Sequence, residues 1–161
     1  MIRSTRLFIV TAAAIPLLGA GCISFTGSTK ADGGLYFSAA RGEQWAQRGA
    51  IPATGGQQPS LSDVNITLIT QDPQDRSALY VGTDDRGGYY SWDGGKAWRP
   101  LGAPFAQGKV NAIAVDPRAK CTIYAASGQK VFKTLDCARS WKSSDFEGTI
   151  SALAIDPTNV A

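Results

Sequence analysis

Thirteen acidic residues, three cysteines and no histidine are the reactive inventory of this 161-residue chain. Without histidine there is no Ser/His or Cys/His nucleophile and no usual zinc ligand set. No glycine loop of the P-loop or dinucleotide type is present. No metal, no cofactor and no catalytic residue is therefore expected. Asp84-Asp85 is the only adjacent carboxylate pair, and Glu43 and Glu147 are the only glutamates. Glycosidic cleavage needs two carboxyls on opposite sides of a bond, at least about 5 Å apart. Neighbours in sequence do not build that, so Asp84-Asp85 reads as a polar turn between strands. Asn65-Ile66-Thr67 matches a glycosylation acceptor but falls in a strand, and is discounted.

The remaining acids of interest lie in a recurring octapeptide. Ser91-Trp92-Asp93-Gly94-Gly95-Lys96-Ala97-Trp98 reads Ser-x-Asp-x-Gly-x-x-Trp. Thr134 to Trp141 repeats it, with Asp136 in place and Ala138 where the glycine was. Ser38 to Trp45 is a third copy, keeping Gly42 but with Ala40 where the aspartate was. Residues two apart in a strand share a face, so Ser91 and Asp93 point the same way. Their oxygens can accept from the backbone of the following turn. Gly94 and Gly95 supply the positive φ of a tight hairpin, and Trp98 packs back over it. On this reading Ser38, Gly42, Trp45, Ser91, Asp93, Gly95, Trp98, Thr134, Asp136 and Trp141 are structural; the aspartates are neither acids nor ligands.

Those turns sit inside a larger repeat. Strand-like runs end at Asp72-Pro73, Asp116-Pro117 and Asp156-Pro157, 44 and 40 residues apart. Proline has no donor to continue a ladder, so each run stops there. A second strand follows at Ala78–Gly82 and Thr122–Ala126, a third at Gly88–Ser91 and Lys130–Thr134, then the octapeptide and a short fourth strand. Four strands at a period of about 40 to 45 is the signature of a propeller blade. The octapeptides resemble the Asp-box, or BNR repeat, of sialidases, sortilin-like receptors, xyloglucanases and photosystem II assembly factors. The resemblance implies a β-propeller and leaves the function open, because the box belongs to the blade. Sialidases also carry an arginine triad, a Tyr–Glu pair and an Arg-Ile-Pro start; here Ala50-Ile51-Pro52 lacks that arginine.

The expected fold is all-β: a partial propeller of four-stranded antiparallel blades behind a signal peptide. Its parts are a lipoprotein-type signal at 1–21, a flexible tether at 22–32, a half blade at 33–48, blades at 64–101 and 109–144, and the start of another at 149–161. Gly49 to Asp63 reads as a long loop, lining a rim or simply mobile. Propellers close with about four to eight blades. The chain is therefore read as a fragment of a longer propeller, the rival being closure by association of chains.

Arg3 and Arg6 precede an apolar run from Leu7 to Leu18, then Leu18-Gly19-Ala20-Gly21 leads into Cys22. This resembles a bacterial lipobox, with Gly19 where leucine is usual, and it implies lipidation at Cys22; an ordinary cleaved signal is the alternative. The chain carries 16 basic residues against 13 acidic. Removal of the signal brings it close to neutrality, so nucleic acid is not an expected partner. The basic bias from Lys109 to Lys142 reads as a solvated blade edge.

Export places Cys121 and Cys137 in an oxidising compartment as an even pair. Pairing strands two and three across a turn near Ser127–Gln129 brings Cys121 opposite about Asp136, next to Cys137. A disulfide is expected. The functional expectation is an extracytoplasmic, lipid-anchored scaffold for binding or assembly, without catalysis. Its partners are the membrane and an unknown protein or carbohydrate. The alternatives are the N-terminal part of a secreted glycoside hydrolase, sialidase- or xyloglucanase-like, and a factor like those of photosystem II assembly.

Overall fold

The computed structural model describes residues 33–56 and 58–158. The signal at 1–21, lipidation at Cys22 and the tether at 22–32 lie outside the described residues. Ten strands follow: β1 (Tyr36–Phe37), β2 (Ala46–Gln47), β3 (Ile66–Gln71), β4 (Leu79–Thr83), β5 (Gly88–Ser91), β6 (Arg99–Pro100), β7 (Ala112–Val115), β8 (Ile123–Ser127), β9 (Lys130–Thr134) and β10 (Lys142–Asp145). The described residues are all-β. They form a two-stranded sheet β1-β2 and two four-stranded sheets, β3-β4-β5-β6 and β7-β8-β9-β10. Every neighbouring pair is antiparallel. The two larger sheets are the expected blades.

Strand alternation decides which face of each blade meets which neighbour. On β4, Tyr80 and Val81 are both buried but on opposite sides. Tyr80 joins Leu101, Phe105, Val110, Ile113, Val115, Ile123 and Ala125 in the core between the blades. Val81 joins Leu61, Val64 and Trp98 in a second core against the N-terminal segment. A sheet buried on both faces reads as an unbroken apolar run rather than an alternation, and Leu79-Tyr80-Val81 has that form.

The seam between blades is polar as well as apolar. Thr67 Oγ1 approaches the carbonyl of Val110 at 3.5 Å, Thr70 Oγ1 donates to that of Ile113 at 3.1 Å, and Gln74 Nε2 to that of Asp116 at 3.1 Å. Gly87 has φ +73°, and a Cβ there would lie 2.0 Å from the Phe105 carbonyl oxygen. Only glycine lets the β4–β5 turn lie that close to the connection between blades.

Two segments outside the ladders add detail. Gly49–Asp63 is more than a rim loop. Ala50 bridges Ser60, and Leu61, with Val64 just after the loop, is fully buried against Trp98. Its apolar residues are too sparse to give a period, yet they cap one face of the first blade. Ala152–Ile155, read as a first strand, forms no ladder: no described residue pairs with it, and a strand exists only with a partner.

Candidate functional site

The octapeptides build three turns of one design. In the first blade the Ser91 hydroxyl donates to Asp93 Oδ1 at 2.7 Å and accepts from Gly95 N at 2.9 Å. Asp93 Oδ1 also accepts from Lys96 N at 2.9 Å and Ala97 N at 3.0 Å. Burial works to raise the Asp93 carboxyl; the Ala97 amide, the Ser91 hydroxyl and the Lys96 amide lower it, and the balance lies below its ordinary value. Gly94 and Gly95 take φ of +71° and +80°. Trp98 is buried, and its indole donates to the Arg48 carbonyl at 2.8 Å.

The second blade repeats the pattern with other residues. Thr134 Oγ1 donates to Asp136 Oδ1 at 2.7 Å and accepts from Ala138 N at 3.1 Å. Asp136 accepts from Arg139 N, Ser140 N and the Ser140 hydroxyl. The hydroxyls of Ser140 and Thr134, then the Ser140 amide, hold its carboxyl well below the usual range. Cys137 and Ala138 stand where the glycines were and still take φ of +58° and +67°. Cys137 is bonded to Cys121, the Cα atoms 4.1 Å apart; the hairpin register brings Cys121 to within one residue of it. Trp141 packs edge-on to Phe105, but its indole nitrogen is buried with no partner.

In the N-terminal unit Ser38 Oγ accepts from Gly42 N at 2.8 Å, and Trp45 donates only to the Gly42 carbonyl of its own turn. Trp45 stays largely exposed.

The Asp-Pro aspartates have a role that proline alone did not suggest. Asp72 Oδ1 accepts from Gln74 N, Asp116 Oδ1 from Arg118 N and Ala119 N, and Asp156 Oδ1 from Thr158 N. Asp72 and Asp116 fold the chain after β3 and β7 by Asx turns, and Asp156 makes the same turn after residues 152–155. Asp84 pairs with Lys109 at 2.9 Å across the blade connection, while Asp85 offers its carbonyl to Gly108 N. Asp145 pairs with Lys130. Among the described residues no group of three or more His, Cys, Asp or Glu is placed to hold a metal ion.

One group on the open side of the seam went unread in the sequence. Tyr80 and Tyr90 brace Trp92, at centroid distances of 5.8 and 4.9 Å. Beside them is a depression of about 250 Å³, lined also by Asp72, Asp75, Lys120 and the disulfide. A signal was present: Trp92 occupies a variable octapeptide position where the other copies have Leu135 and Ala39.

No protein-family model matches the chain, and no curated protein matches it. Among solved structures it is similar to an ancestral GH74 enzyme, at 20% identity and a TM-score of 0.55 over 74% of this chain and 16% of that one. A GH74 enzyme from Niastella koreensis gives 14% and 0.33 over 70% and 26%, and a GH74 xyloglucanase from Xanthomonas campestris 16% and 0.36 over 80% and 31%. The chain thus spans less than a third of the length of each. The first likeness is one of fold; with the blades described above it establishes a partial β-propeller.

Proposed function

We propose that the chain is an extracytoplasmic, lipid-anchored propeller scaffold that binds or assembles partners and catalyses nothing itself. One observation carries the reading: the aspartates of the repeated turns serve the fold. Asp72, Asp93, Asp116, Asp136 and Asp156 accept turn amides, and Asp84 and Asp145 pair with lysines. Asp93 and Asp136 are moved down, whereas a general acid working near neutrality needs its carboxyl moved up. The octapeptide residues serve in this reading as turn formers. The apolar run ahead of Cys22 supports the anchor; Cys22→Ala should release the protein from membranes, and an unmodified N-terminus by mass spectrometry would reject it.

A second reading, part of a secreted glycoside hydrolase, is supported by the fold likeness to the ancestral GH74 enzyme, of which this chain matches only a sixth. The purified protein should be assayed against β-glucans and sialosides. Turnover of order 1 per second or above would overturn the scaffold and favour the hydrolase.

A further inference from the structure

Trp92 stands between two depressions on the open side of the seam. The one of about 250 Å³ holds Asp72, Tyr80 and Lys120; the other, about 310 Å³, holds Tyr90, Leu101 and Arg139. The tryptophan is 39% exposed. The turn does not require it, since Leu135 and Ala39 serve at the matching positions. The position is thus free to carry a half-exposed aromatic ring, and here that ring borders both depressions.

The polar groups beside it are also unfinished. Tyr80 is 1% exposed, yet no described residue shares a hydrogen bond with its hydroxyl. Nor is that oxygen sealed off, because Trp141 Nε1 is the one fully enclosed side-chain polar atom without a partner among the described residues. Asp72 is 4% exposed and uses Oδ1 for Gln74 N, leaving Oδ2 without a partner. Burial, then the nearby carboxylates of Asp72 and Asp75, push the Tyr80 hydroxyl above its ordinary value, so it stays protonated as a donor. A buried donor and a buried acceptor thus line one cavity and do not satisfy each other. An entering ligand must therefore replace the hydrogen bonds that solvent can give both groups.

Charge narrows the choice. An anion meets Asp72 and Asp75. A cation meets Lys120, and the aromatic rings do not enclose it: Tyr80 is edge-on to Trp92 at 87° and Tyr90 tilted at 48°. A purely apolar group leaves Tyr80 and Asp72 desolvated and unpaired. A neutral ligand with an apolar ring face and hydroxyls that both donate and accept satisfies all of them.

We propose that this depression seats a pyranose ring of a polysaccharide, stacked on Trp92 with its hydroxyls on Tyr80 and Asp72. The proposal rests on reading the chain as a binding propeller, and it names the ligand class.

The test uses the full-length protein with cellohexaose, xylohexaose, mannohexaose and chitohexaose, by calorimetry and tryptophan fluorescence. At least one should bind and perturb the fluorescence. Trp92→Ala should weaken it about tenfold or more. Tyr80→Phe removes one oxygen and keeps the ring in the core, so its weakening, about fivefold, reports the hydroxyl and not the fold. Leu135→Ala should bind as the parent does. No binding to any of the four overturns the proposal. So does binding unchanged in both Trp92→Ala and Tyr80→Phe, which leaves the binding reading intact. Capture of oligolysine, lost in Trp92→Ala, also overturns it in favour of a cation site. Hydrolysis of the oligosaccharides, with binding still lost in Trp92→Ala, keeps the seat and overturns only the non-catalytic reading.

Discussion

The octapeptide turns of the two blades reach the same shape from different chemistry. In the first, Gly94 and Gly95 enter the left-handed region at no steric cost, and Trp98 is buried with its indole donating to Arg48. In the second, Cys137 and Ala138 hold that conformation against their own Cβ atoms, Cys121 does likewise across the hairpin, and Trp141 is left with an unpartnered indole. The left-handed region disfavours an L-residue by roughly 1–2 kcal/mol. A covalent bond stands where the glycines were. The difference teaches that the Ser/Thr and Asp oxygens specify the turn, while glycine only makes it inexpensive.

Truncating the two tryptophans tests the comparison at its largest. Trp98→Ala should cost about 3–5 kcal/mol, the range for a buried aromatic. Trp141→Ala should cost clearly less, because the buried donor it removes was already unsatisfied. Urea unfolding of both variants gives the answer; equal losses would mean that the two seats do not differ energetically.

Next comes the bridge. Cys121→Ser/Cys137→Ser opens a link of 16-residue separation, worth about 3 kcal/mol in the chain-entropy model. Reduction of the parent should give the same shift in midpoint. A variant as stable as the parent would place no load on the bond.

Asp93→Asn keeps the shape and removes the charge that strengthens bonds to the turn amides. Because Asp93 is solvent-exposed, the expected loss is about 1 kcal/mol at neutral pH. The sign with pH follows from its lowered carboxyl. Its contribution is complete above about pH 4, the ordinary carboxylate value, and disappears as pH falls through the lower folded value. The gap between parent and variant should therefore narrow on acidification below about pH 4. A gap that widens would contradict the assignment.

The smallest effect sharpens the comparison most. Ala138→Gly should stabilise the second turn by up to about 1 kcal/mol, relieved strain being partly offset by glycine's entropy. The gain should be larger in the bridge-free double variant, where nothing covalent holds the turn. Thermal melts of the four combinations measure it.

The same contrast separates what could be read in the chain from what could not. Repeating Asp-Pro steps and octapeptides locate both blades, because each marks a place where a ladder must stop or turn. The bridge was legible because the β8–β9 register is fixed by a two-residue turn at Gly128-Gln129. Leu61 and Val64 were not, since a core cap made of two isolated residues has no period. Ala152–Ile155 has strand composition, but pairing depends on another segment, which composition does not report. The cavity beside Trp92 arises where two blades meet, so spacing within one repeat could not reveal Asp72 and Lys120 on its rim. Only the odd tryptophan was visible in the alignment of the copies.

The seam has a consequence for how such a chain is inherited. Thr67, Thr70 and Gln74 reach 43, 43 and 42 residues ahead, and what they reach are main-chain carbonyls. Every residue carries that acceptor, so the receiving strand is recognised by its position and not by its side chains. A gene segment copied whole is accepted by the unit before it with no matching substitution. One shortened by a few codons before that strand moves it out of reach of its donors. The copies can then drift apart in sequence, as Asn111 and Ala114 show by standing where the earlier unit has Thr67 and Thr70.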